Sequence, residues 1–291
     1  MFKRKLGSTP EMLSVVGFGG ILVMDETPAE SSRIVAAAIE RGINYFDVAP
    51  SYGNAEERLG PALEPYRSGV FLACKTGKRD AAGAEAELHA SLGRMRTDHF
   101  DLYQLHAVTT DDDVQQILAP GGALETFVKA RQQGLVRYLG FSAHSEKAAL
   151  DLMAAFDFDT ILFPLNWAIW QQNHFGPQVL SVANQKGMGI LALKVLAHRA
   201  WGEGEERKWK KTWYAPLESA EEAALALRFT LSLPGADGQP AVTALTSPGH
   251  FHLFQWACDA ADNFTPLSEA ELEELKQRGQ GLQLIFPQKG A

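Results

Sequence analysis

The chain has 291 residues, 46% of them hydrophobic and 21% charged, with a formal net charge of −8. That is enough apolar material for a large core, and the acidic balance argues against nucleic acid as the default partner. Two cysteines, Cys74 and Cys258, make neither a metal motif nor a disulfide framework.

No run approaches the ~18 apolar residues of a membrane span. The opening MFKRKLGSTPEM lacks the apolar stretch of a signal peptide, so a cytoplasmic location is expected. Phe2–Val16 reads as a hairpin turning at Gly7–Pro10. Val15–Gly20 (VVGFGG) reads as a strand ending in Gly19 and Gly20, which either let a ligand approach the backbone or make a tight turn.

From there helices and strands alternate. Ala29–Arg41 is a helix ended by Gly42, and Ile43–Ala49 (INYFDVA) is the second strand. Asn54 is expected to cap the helix Ala55–Leu63, with Glu57 as its capping-box partner. The strands Val70–Thr76, Phe100–His106, Val136–Ser142, Thr160–Asn166, Gly189–Val195 and Ala241–Thr246 follow. Between and after them lie helices at Ala81–Met95, Gly121–Gln133, Ser145–Ala155, Pro177–Lys186, Glu218–Leu231, Phe251–Ala261 and Ser268–Arg278. Eight such units fit an α/β fold: a (β/α)₈ TIM barrel preceded by a β-hairpin, as one domain over residues 1–291. A doubly wound open sheet is the competing architecture, but VVGFGG lacks the helix entry of a dinucleotide fingerprint.

A barrel collects its chemistry at the carboxyl ends of its strands. Those ends carry Asp47 and Tyr52, Lys75, His106, Ser142 and His144, Asn166, and Lys194. Lys75 and Asp47 on neighbouring strands would neutralise each other. A cation beside Tyr52 is expected to lower the phenol's pKa from about 10 and suit it to general-acid work. His106 would hydrogen-bond a substrate oxygen. The group supplies no hydride, so a reduction needs a redox cofactor, most simply a nicotinamide. Taken singly, each residue has a structural reading: a loop cap, a surface aromatic, a snorkelling lysine and a satisfied core histidine.

The segments FDVAPSYGNAEERLG, FLACKTG, DLYQLHA and GLVRYLGFSAHS, with the hairpin ahead of GFGG, resemble the aldo-keto reductase family. The resemblance implies a barrel closed at its bottom by the hairpin and NAD(P)H-dependent reduction of a small aldehyde or ketone. It places the catalytic tetrad at Asp47, Tyr52, Lys75 and His106. GFSAHS and LALKVL are similar to a bacterial branch, some members of which carry a C-terminal iron–sulfur extension. No cysteine cluster is present, so that cofactor is not expected.

The resemblance assigns cofactor binding to Ser142. The strand and loop ends add Gly19, Gly20, Asn166, Lys194, Ser247 and Gly249. Ala143 stands where the family has asparagine, Leu162 where it has glutamine, and no Lys or Arg lies between Thr246 and Asn263. The cofactor is therefore NADP or NAD, with the choice open. The stretch 197–215 holds five basic residues and three tryptophans, and reads either as a cover over the cofactor or as a solvated loop. Trp167, Trp170, Phe175, Trp201 and the tail 281–291 are candidates to line the mouth. Two other functions stay open: a non-catalytic nucleotide-binding sensor, and a metal-dependent hydrolase or isomerase using His106, His144 and Asp47.

Overall fold

The computed structural model describes residues 1–235 and 238–286. Strands β1 (Lys3–Lys5) and β2 (Met12–Ser14) form an antiparallel hairpin. Then come β3 (Val16–Gly19), β4 (Tyr45–Asp47), β5 (Phe71–Thr76), β6 (Phe100–Val108), β7 (Val136–Ala143), β8 (Thr160–Pro164) and β9 (Gly189–Leu193). A second antiparallel pair, β10 (Ala197–Ala200) and β11 (Tyr214–Pro216), leaves the wall after β9. The last strand, β12 (Val242–Thr246), pairs in parallel with both β9 and β3 and closes the barrel. The expected (β/α)₈ TIM barrel with an N-terminal hairpin is the architecture found.

Helices α1 (Pro28–Glu40), α2 (Ala55–Leu63) and α3 (Ala81–Met95) follow β3, β4 and β5. After β6 come α4 (Asp111–Leu118) and α5 (Ala123–Gln132), and after β7 comes α6 (Glu146–Ala155). Helices α7 (Trp167–Asn173) and α8 (Pro177–Gln185) follow β8, and α9 (Ala220–Leu231) precedes β12. Helices α10 (Phe251–Asp262) and α11 (Glu269–Gly279) end the chain's helical part. No described helix is long and apolar enough to cross a membrane.

Besides the β10–β11 pair, three elements depart from the sequence expectation. Helix α4 is too short to show a full apolar period; a Thr110–Asp113 capping box starts it. Helix α7 is capped by the Asn166 side chain. At α2 the expected cap fails: Asn54 makes no side-chain cap, and its Oδ1 accepts the Asp25 N–H at 2.8 Å.

Alternation along the strands positions the site. Tyr45 and Asp47, Ala73 and Lys75, and Leu102 and Gln104 share one parity on three adjacent strands. The lower members, with Leu162, Leu191 and Ala244, form a small apolar cluster capped by Leu6 and Leu13 of the hairpin. The upper members are ionised or polar. Gly17 makes room for the Tyr45 ring, since a Cβ there would collide with it. The barrel interior is thus greasy at its plugged end and charged at the carboxyl end.

Candidate active site

Lys75 and Asp47 are both buried, at 0% and 2% exposure, and form an ion pair. A buried pair holds only if its remaining polar atoms are also satisfied. Gln104 Nε2 donates to Asp47 Oδ2 at 3.0 Å, and the Tyr45 hydroxyl approaches the same oxygen at 3.3 Å. Lys75 Nζ also donates to the Val48 carbonyl at 3.3 Å. Gln104 was missed in the sequence, although it shares parity with His106 two residues on.

Tyr52 lies in the turn between β4 and α2, its N–H donating to the Ala49 carbonyl at 3.1 Å. Lys75 Nζ sits 5.2 Å from its ring centroid, and the His106 ring meets it edge-on at 5.7 Å. His106 stands where the β6–β7 register shifts, between Leu105 and Val108. The next residue, Ala107, is left-handed at φ 52°. Irregularities of this kind re-aim side chains at functional sites. This one is held by the Ala107 N–H donating to Ser142 Oγ at 2.7 Å and by Arg79 donating to the His106 carbonyl at 2.9 Å. Ser51 Oγ lies 3.3 Å from His106 Nδ1. A donating Ser51 hydroxyl leaves the imidazole proton on Nε2.

The electrostatics correct one expectation. Burial raises the Tyr52 pKa; Lys75 pulls it back, but the net direction is up, not down. Burial works against the Lys75 ammonium, yet Asp47 and the phenol outweigh it and raise its pKa. Burial, aided by Lys75 and other nearby cations, lowers His106 to about 3, so its imidazole is neutral. The site therefore holds a protonated phenol, a fixed ammonium and a neutral hydrogen-bonding imidazole.

These groups line one cleft of about 180 Å³ with Gly19, Ser142, Leu162, Lys194 and Ser247. Ser247 Oγ accepts the Gly19 N–H at 3.0 Å. Gly20, Asn166 and Gly249 do not line it. A Cβ on Gly20 would meet Val48. Asn166 is 1% exposed, and its side chain is committed to backbone: Oδ1 accepts from Ala168 and Ile169, while Nδ2 donates to the Lys194, Val195 and Ala197 carbonyls. That is a structural task. Gly249 is covered by Lys211, whose Cβ and carbonyl oxygen would each lie 2.9 Å from a Cβ there.

Lys211 belongs to the stretch 197–215, a strap closed at its ends by the β10–β11 pair, with Glu203, Gly204, Glu206, Arg207, Lys208, Lys210 and Trp213 exposed between them. Its Nζ pairs with Glu26 at 2.6 Å and donates to the Leu22 carbonyl at 3.0 Å. Trp201 Nε1 ties the strap together by donating to the Thr212 carbonyl at 3.1 Å. The aromatic wall of the cleft is Trp213 and Tyr214; Trp167 is core, at 1% exposure, and Trp170 packs on Phe229. The tail is described only to Phe286, which stacks on Phe175; residues 287–291 lie outside the described residues.

Among the described residues no three His, Cys, Asp or Glu side chains form a group that could hold a metal ion. Asp47, which the metal-site alternative required, is spent on Lys75, Gln104 and Tyr45.

A closed parallel barrel with an acid, a phenol, an ammonium and an imidazole at its carboxyl end defines a barrel with an acid–base centre. The chain belongs to the aldo/keto reductase family, whose profile matches residues 15–241. The uncharacterized oxidoreductase YqkF of Bacillus subtilis (strain 168) is 36% identical over 157 residues, 49% of each chain. L-Galactose dehydrogenase of Arabidopsis thaliana is 26% identical over 241 residues, 77% of this chain and 74% of that one. The match thus spans about half the length of YqkF and more of the plant enzyme. The fold is also that of the aldo-keto reductase AKR11C1 from Bacillus halodurans in its holo form, with a TM-score of 0.73 and 23% identity over 98% of each chain.

Proposed function

We propose that the chain is an NAD(P)H-dependent reductase converting an aldehyde or ketone to the alcohol. The observation that carries this is the Tyr52 phenol held between the Lys75–Asp47 pair and the His106 ring, in a cleft. A reduced nicotinamide supplies the hydride when bound. His106 Nε2–H orients the carbonyl oxygen, and Tyr52 gives that oxygen its proton as alkoxide charge develops. Lys75 stabilises the phenolate left behind, and Asp47 keeps Lys75 charged and in place.

The residues present fit a nicotinamide. Leu162 and Leu193 offer an apolar floor for a flat ring. Ser142 accepts one N–H and keeps its own hydroxyl proton to donate to a carboxamide. Gly19 and Ser247 line the same cleft from the β3 and β12 side, and Arg207, Lys208 and Lys210 of the strap are basic groups available to phosphates, Lys211 being held by Glu26. With Gly249 covered and Asn166 committed elsewhere, we assign cofactor contacts to Gly19, Ser142, Ser247 and the strap.

The sensor reading is favoured by Ala143 and Leu162, which remove two side-chain amides from the cofactor site. We further read residues 1–291 as one domain and place it, on GFSAHS and LALKVL, near the bacterial branch described above, in the cytoplasm. The test is oxidation of NADPH and of NADH, each offered with aliphatic, aromatic and sugar aldehydes. Turnover with either dinucleotide supports the reductase; tight dinucleotide binding with no turnover on any carbonyl supports the sensor.

A further inference from the structure

Lys194 follows β9 at a left-handed backbone position, φ 62°, unusual for a side-chain-bearing residue. Its side chain does not turn toward β12. It reaches past β8 to the exit of β7, where Nζ meets His144 Nε2 at 2.9 Å. Trp213 and Phe286 flank the ammonium, with ring centroids 4.9 and 5.1 Å away.

The other two lysines of the cleft have acids: Asp47 for Lys75 and Glu26 for Lys211. Among the described residues, Lys194 has no carboxylate within 4.0 Å. Burial pulls its pKa well below the ordinary value. Burial, with Lys194, lowers His144 to about 3, which leaves that ring neutral and able to accept. A desolvated lysine with spare donors and no counter-charge is drawn into its charged form by an incoming anion.

We propose that Lys194, seated on His144, receives an anionic group of the carbonyl substrate, so that the preferred substrates are carbonyl compounds bearing a carboxylate or phosphate. This rests on the reductase reading above. The substrate is favoured over the cofactor's pyrophosphate by direction. The ammonium points away from the β12 exit, where Ser247 lies, and its field reaches His106, the group assigned to the carbonyl. A cleft of about 180 Å³ keeps Tyr52 and Lys194 within reach of one small molecule.

The probes are 4-oxobutanoate and its methyl ester, which differ in charge at one end. Wild-type kcat/KM is expected to favour the acid by about tenfold or more. Lys194→Met collapses that ratio to about one, and Lys194→Arg, which keeps the charge, restores most of it. Equal use of acid and ester by the wild type overturns the proposal, as does an unchanged ratio in Lys194→Met. If Lys194→Met weakens dinucleotide binding and leaves the ratio intact, the ammonium serves the pyrophosphate. A second readout needs no turnover: Trp213 fluorescence, with Trp213→Phe as control. Quenching by the acid and not the ester, with neither compound reduced, keeps the anion site and removes the reductase reading; equal response to both removes the anion site.

Discussion

Lys75 carries two jobs that pull in the same direction. It neutralises Asp47 in a water-poor interior and lies beside the Tyr52 phenol, which in the proposed mechanism loses a proton. Lys75→Met should therefore cost stability and catalysis together. Leaving Asp47 buried without its partner costs about 3–5 kcal/mol, visible in a urea melt. Loss of the group that stabilises the phenolate costs about 10²–10⁴-fold in turnover of the folded fraction. The pH profile follows from the same residues. Tyr52 must be protonated, and its pKa is raised, so reduction fails only as pH climbs through a value above about 10. Lys75 is also raised and stays cationic, and His106 is neutral above about 3. Single-turnover rates should be flat from about pH 5 to 9; a fall between 7 and 8 would mean the phenol is acidic after all. The meeting of Asp47, Tyr52, Lys75 and His106 in one cleft was legible because an ionisable group at the end of an apolar strand needs a reason to be there. The direction of the phenol's shift was not, since it turns on how much water the fold removes. Asn166 misled for a related reason: a strand-end amide looks the same in sequence whether it faces a ligand or caps the next helix.

At the scale of elements, the β10–β11 strap walls one side of the cleft with Lys211, Thr212, Trp213 and Tyr214. Its Lys211 spans to Glu26 and Leu22 near the β3 exit and covers Gly249. The cleft it leaves is below the ~300 Å³ at which ligand pockets usually begin. A dinucleotide must displace the strap or be held under it. Lys211→Met removes a part-buried ion pair worth about 1 kcal/mol, so nucleotide release in stopped flow should quicken about fivefold. Unchanged release would mean the strap is fixed by its aromatic packing alone. The strap was invisible as structure because its basic and acidic residues alternate with tryptophans and glycines in no regular period. Its tryptophans were visible, but not which of them faces the cleft: Trp201 ties the strap to itself, while Trp213 does the lining. Helices α4 and α7 escaped for want of length; both rely on a capping side chain more than on an apolar stripe.

The whole molecule is a barrel plugged at one end and lined with charged and polar groups at the other. Strand count and alternation made the barrel legible, but the pairing of β12 with β3 that closes it joins ends more than 220 residues apart, a contact no local pattern encodes. The hairpin plug was legible as a hairpin only; its place under the barrel came from resemblance. Leu6, at 0% exposure, fills the base of the interior stack. Leu6→Ala should cost about 2–5 kcal/mol in a denaturant titration while kcat of the folded protein is unchanged, because Leu6 belongs to the lower apolar cluster and does not line the cleft. A parallel loss of kcat would show that the two ends are coupled. The proton donor itself is tested by Tyr52→Phe, through the single-turnover rate of dinucleotide oxidation with a saturating aldehyde. The expected result is a fall of about 100-fold or more with dinucleotide affinity held within about threefold; an unaltered rate would contradict the assignment of Tyr52 as the acid.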